Sequence, residues 1–150
     1  GRGSEVIEIR GPAGVRPLVA GGRAHLVAYV GHDGLMDFSL PEFPAASPGA
    51  PPRSSVALAC ASRVFFEDKL RRGGSHPLLL TTGLLAPEAY ALDAVVRTWF
   101  AGQSDEGARD AAAAAYARYQ RCGLAAARRL FGVTTRTTAP RGPESRPSRS

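Results

Sequence analysis

Apolar residues in this chain gather in short blocks punctuated by glycine and proline. Glu5–Arg10, EVIEIR, alternates polar and apolar positions, the pattern of a short edge strand. Glycines and prolines then run to Arg23. His25–Val30 is apolar without alternation and holds β-branched and aromatic members, which predicts a buried strand ending at Gly31-His32. The proline-rich stretch 41–53 predicts a loop. Ser55–Ala59 predicts a second buried strand, and Ala61–Arg72 a helix stopped by Gly73-Gly74. Pro77–Thr82 reads as a third strand. Pro87 suits a first helical position, with Glu88 as a first-turn acid, and opens a helix to about Ala101 in which Trp99 and Phe100 read as core. Ser104 caps a last helix whose first turn holds Asp105 and Glu106. Along it Ala112, Ala115, Tyr119, Cys122, Ala126 and Leu130 recur at three- and four-residue spacing, as one stripe to be buried.

Strand, helix, strand, helix implies an α/β domain with a mainly parallel sheet and right-handed crossovers. Ligands of such sheets bind beyond the carboxyl ends of the strands. The organisation is therefore an N-terminal stub or loop over 1–23, the α/β domain over 24–133, and a tail over 134–150. The tail is rich in Thr, Pro, Ser and Arg, with no apolar face, and is expected to be disordered.

Charge changes this picture little. The formal net charge is +6, but residues 1–24 carry four arginines against two glutamates, and residues 134–150 four against one. The ends contribute +2 and +3, leaving +1 for the middle. No aromatic residues interleave with the basic ones as a base-stacking platform needs, so no nucleic-acid partner is expected. Cys60 and Cys122 lack metal-ligand spacing, and His25, His32 and His76 are scattered, so neither a metal nor another cofactor is expected. No apolar run reaches the roughly 20 residues of a membrane span, and no signal peptide is visible. The chain opens at Gly1, which reads as a removed segment or a fragment; the compartment favoured is the cytoplasm.

The chemistry lies at two strand ends. In VALACAS, Val56–Ser62, Cys60 closes a strand and opens a helix, where unpaired N–H groups and the helix dipole favour a thiolate. His32 ends the preceding strand and, if the two strands are neighbours, can accept and return a proton. Asp33 and Asp37 are candidates to orient His32, with turn or capping roles as the alternative. A cysteine buried as a small core residue is the competing reading for Cys60. His76, before Pro77, reads as a surface residue in a turn, and His25 as a surface residue opening a strand next to Arg23. The TTG at Thr81–Gly83 reads either as a pocket lining or as a strand-to-loop transition.

An apolar strand ending in histidine followed closely by glycine, then an apolar strand ending in Ala-Cys, resembles the core of the caspase-like cysteine peptidases. SRVFFEDKLRRGGSHPLLLTTG is similar to their bacterial CHAT-domain branch, and the likeness spans about Ala24 to Phe131. It implies a caspase-like three-layer sandwich, with helices on both faces of the sheet. By that likeness Cys60 is the nucleophile and His32 the catalytic histidine, and backbone amides of Gly34, Asp33 and Cys60 hold the oxyanion. Asp33 stands where the family usually has glycine. The family's strand and helix before the histidine strand have no counterpart, so N-terminal elements are expected to be missing. The implied activity is hydrolysis of a polypeptide substrate through a thioester. The alternatives are an inactive fold serving as a protein-interaction module, or a small-molecule hydrolase.

Overall fold

A computed structural model describes residues 6–11, 14–19, 24–86 and 88–134. Val6–Gly11 (β1) and Gly14–Val19 (β2) form an antiparallel hairpin that pairs with no other described strand. The second of these strands contains Pro17, which hid it in the glycine- and proline-rich stretch.

The main sheet follows. Leu26–Val30 (β3) pairs in parallel with Arg53–Leu58 (β4), and β4 pairs in parallel with Ser75–Thr81 (β5). The ladder between β4 and β5 slips one residue at Ser55/Val56, so Pro77 faces Ser55 while Leu79 faces Val56. A fourth strand, Phe131–Gly132 (β6), lies antiparallel to Leu80 and Thr81. The spatial order is β3-β4-β5-β6. This is a mixed α/β fold with helices on both faces of a four-stranded sheet.

β4 lies between two strands and under helices, and from Ser54 to Leu58 every residue is buried. β3 does not match its expected burial. Val27, Tyr29 and Val30 are 45%, 46% and 37% exposed. An apolar run reports a strand's composition but not its neighbours, and β3 is the sheet's margin, paired on one side only.

Ser62–Arg72 (α1) covers β4 and β5 on one face and stops where expected, at Gly73 and the positive-φ Gly74. Ala89–Phe100 (α2) and Asp105–Gln120 (α3) pack together in the layer on the other face. Ala91, Val95 and Thr98 are the buried positions of α2, at intervals of four and three. Ala108, Ala112, Ala113 and Tyr116 are those of α3. Together with Val56, Leu58, Leu78, Leu79 and Phe131 they make the hydrophobic core. Trp99 is half-buried against it, whereas Phe100 at the helix end is 76% exposed and is not core. Pro87, the expected first helical residue, lies outside the described residues; Glu88 is the N-cap instead.

The last helix is two helices. Ser104 caps α3 as expected, its hydroxyl accepting from the Gly107 amide at 3.1 Å. Arg121 then takes a left-handed conformation, φ 52°, and Leu124–Leu130 (α4) starts in a new direction after Gly123. The stripe breaks there: Ala112 is buried, but Tyr119, Cys122 and Ala126 are exposed. The turn lets α4 deliver Phe131 to the sheet. The expected tail begins one residue too early, since Thr134 is buried and donates to the Pro77 carbonyl at 2.7 Å. Residues 135–150 lie outside the described part.

Candidate functional site

The carboxyl ends of β3 and β4 form the rim that carries His32 and Cys60. The β3–β4 register pairs Val30 with Leu58, and the Gly31 amide continues the ladder by donating to the Leu58 carbonyl at 3.2 Å. Each candidate stands two residues past that last pair. Side chains alternate along strands. Leu26 packs against the core of the α2–α3 layer, to which Val56 and Leu58 also belong. Tyr29 instead stacks on Phe66 of α1, with centroids 6.1 Å apart. Even-numbered positions of both strands therefore face the α2–α3 layer, and the next even-numbered positions are His32 and Cys60.

Tyr29, which the sequence did not single out, fixes the histidine's backbone: its hydroxyl donates to the His32 carbonyl at 2.6 Å. The imidazole Nε2 lies 2.5 Å from Asp37 Oδ2, with the two side chains 69% and 64% exposed. Of the two acids, Asp37 is the one on the ring. Asp33 takes the capping role, its Oδ1 accepting from the Leu35 amide at 3.0 Å at the head of a one-turn 3-10 helix, Gly34–Met36. Asp33 is fully buried, and its Oδ2 has no hydrogen-bond partner among the described residues.

Cys60 is half-buried and its thiol donates to the Leu85 carbonyl at 3.7 Å. The turn after it is tightly held. Ala61 is left-handed, φ 49°, and its amide donates to Gly83 at 2.9 Å. Ser62 and Thr81 exchange amide-to-hydroxyl hydrogen bonds at 3.1 and 2.9 Å. Their hydroxyls also reach strand-end carbonyls: Ser62 Oγ donates to Ala57, and Thr81 Oγ1 to Ala59. Thr81 had been read as pocket lining or as a loop transition; its side chain instead ties β5 to the β4–α1 turn.

The structure brings His32 and Asp37 together and leaves Cys60 apart from them. No hydrogen bond joins His32 to Cys60: the ring turns to Asp37 and the thiol to Leu85. Of the expected oxyanion donors, Gly34 is already engaged, its amide donating to the His32 carbonyl at 3.1 Å. The amides of Asp33 and Cys60 donate to no carbonyl in the described turns and loops.

The other candidates separate clearly. His76 is not a turn residue on the surface. It lies in β5, 15% exposed, with Nε2 at 2.7 Å from Asp105 Oδ2 at the head of α3. Cys122 is exposed rather than packed on a stripe. No group of three potential metal ligands occurs among the described residues, and no described helix is long and apolar enough to cross a membrane. Comparison with family models, with curated proteins and with solved structures finds no match.

Proposed function

We propose that this protein is a cysteine peptidase of caspase-like type, with Cys60 as nucleophile and His32 as its proton acceptor and donor. One observation carries the reading: two neighbouring parallel strands, in direct register, present histidine and cysteine as the next same-face positions at the sheet rim where α/β clefts form. The reading requires the imidazole, which is exposed, to turn from Asp37 toward the thiol. His32 then takes the Cys60 proton as sulfur attacks the scissile carbonyl carbon. The tetrahedral oxyanion is held by the Cys60 and Asp33 amides. On collapse the C–N bond breaks, the imidazolium protonates the departing amine, and water hydrolyses the thioester. Asp37 acts by holding the ring between turnovers. In the caspase-like arrangement further sheet lies beyond β3, on the side where that strand is open.

The test uses a peptidyl chloromethyl ketone library and peptide mass mapping, beside simple alkylation. Cys122, being exposed, is expected to react with iodoacetamide and to ignore the peptidyl probe. Cys60 is expected to take the peptidyl probe in the folded protein, with labelling lost in His32→Ala and cleavage of a peptide library lost in Cys60→Ala. Labelling of Cys60 only after unfolding would overturn the reading. Labelling that is indifferent to His32 would overturn the dyad, and the absence of peptide cleavage would leave an interaction module on the same fold.

A further inference from the structure

Charge is unevenly spread along the second half of the chain. From Ala111 to Pro143 there are six arginines and no aspartate or glutamate. Folding brings two of these, Arg128 and Arg129, beside Arg109 where α3 meets α4. There Arg109, Arg128 and Arg129 line a broad-mouthed cleft of about 630 Å³, together with Leu124 and Ala125. Among the described residues a single acid pairs with them. Asp110 accepts from Arg128 Nε at 2.9 Å and Nη2 at 2.5 Å, and from Arg109 Nε at 3.1 Å. Its carboxyl is held below the ordinary carboxylate range, chiefly by the hydrogen bond from Arg128. Three guanidiniums against one carboxylate leave the cleft at +2.

The arrangement is built as well as charged. Asp110 holds two guanidiniums in place while using only part of their donor sets, since each guanidinium offers five N–H groups in a planar fork. The Arg129 side chain has no hydrogen-bond or ion-pair partner among the described residues. Leu124, half exposed, and exposed Ala125 add an apolar surface between the charges. The shape is too open to enclose a small molecule and suits part of a longer chain. No aromatic residue lines it to stack a base, whereas an apolar side chain flanked by carboxylates complements both kinds of wall.

We propose that the α3–α4 cleft is a docking site for an acidic peptide segment, with carboxylates on Arg109, Arg128 and Arg129 and an apolar side chain on Leu124. The site lies outside the chemistry proposed for Cys60, so the Cys60→Ala protein binds as the unaltered protein does.

The experiment is fluorescence anisotropy on the full chain, with a labelled hexapeptide of sequence Glu-Leu-Glu-Glu-Leu-Glu as probe. Binding is expected at low salt and weakens as salt is added. Arg129→Gln is expected to lower affinity about five- to tenfold, as for the loss of one charge-assisted hydrogen-bonded pair. Arg97→Gln removes the same charge from exposed α2, where Arg97 pairs with Asp93, and is expected to leave affinity unchanged. Equal losses in the two variants would show attraction to net charge alone and overturn the site. So would the absence of binding. A labelled single-stranded oligonucleotide bound more tightly than the peptide, with the same dependence on Arg129, would overturn the acidic-peptide assignment in favour of nucleic acid. Arg128→Gln, checked for fold by circular dichroism, is expected to repeat the Arg129 result.

Discussion

At the scale of single residues, the β4–α1 turn is stabilised by buried hydroxyls rather than by apolar packing. Thr81 and Ser62 are both fully buried and satisfy one another's amides as well as two strand-end carbonyls. Such reciprocal networks stiffen a site when complete and are costly when one member is missing. Thr81→Val keeps the shape but removes the hydroxyl that serves both the Ser62 amide and the Ala59 carbonyl, leaving these two only their long 3.3 Å bond to each other. It is expected to cost about 2 kcal/mol in urea unfolding. Thr82→Val, one position on, removes an exposed hydroxyl bonded to the Arg129 carbonyl and is expected to cost less than about 1 kcal/mol. Equal costs would mean that the network does not determine the turn. The positions of His32 and Cys60, just past the ends of two strands, were legible in the sequence because each follows an apolar run. Their partners were not: the ring's contact with Asp37 rather than Cys60, and the thiol's with Leu85, depend on turns that periodicity does not encode.

At the scale of elements, boundaries were legible where a residue type carries the mechanism. Gly73-Gly74 stops α1, Ser104 caps α3, and proline keeps the stretch 41–52 out of regular structure. The break between α3 and α4 had no such marker, because its left-handed residue is an arginine. A side chain with a Cβ is strained there, and glycine is the usual occupant of this position after a helix. Arg121→Gly is therefore expected to stabilise the protein by about 0.5–1 kcal/mol in chemical denaturation. A destabilised variant would show that the Arg121 side chain makes a favourable contact outweighing the strain. Cys122 was misplaced for a related reason: the buried face of α3 runs through Ala108, Ala112, Ala113 and Tyr116 rather than along the expected stripe, and Cys122 lies past the helix end, in solvent. β6 escaped notice for a different reason. Two residues are too few to show alternation, and only the sheet beside them makes them a strand.

At the scale of the whole molecule, alternating strands and helices were enough to give a mainly parallel sheet, whereas helices on both its faces were expected only from the resemblance. The alternation was not enough to give the margins. On the β6 side the chain finishes the domain at Thr134, whose hydroxyl reaches back to Pro77. A chain ending at Thr134 is expected to melt within about a degree of the full-length protein, since the residues beyond it offer no apolar pattern to bury. Ending it at Val133 should remove about 1 kcal/mol and about 3 °C in a thermal melt. A large loss from the first truncation would show that the arginine-rich tail packs on the domain.

The opposite margin has no such finish. β6 is two residues long and antiparallel, which ends the sheet on its side, while β3 offers five residues with no charge, proline or bulge along them. Sheet growth in this molecule thus has a direction. Among the described strands of the main sheet, β3 is the one with a whole side unpaired, and every strand that joins beside Leu26–Val30 covers Val27 and Tyr29 as it does so. Concentration, more than temperature, will therefore govern how long the protein stays in solution.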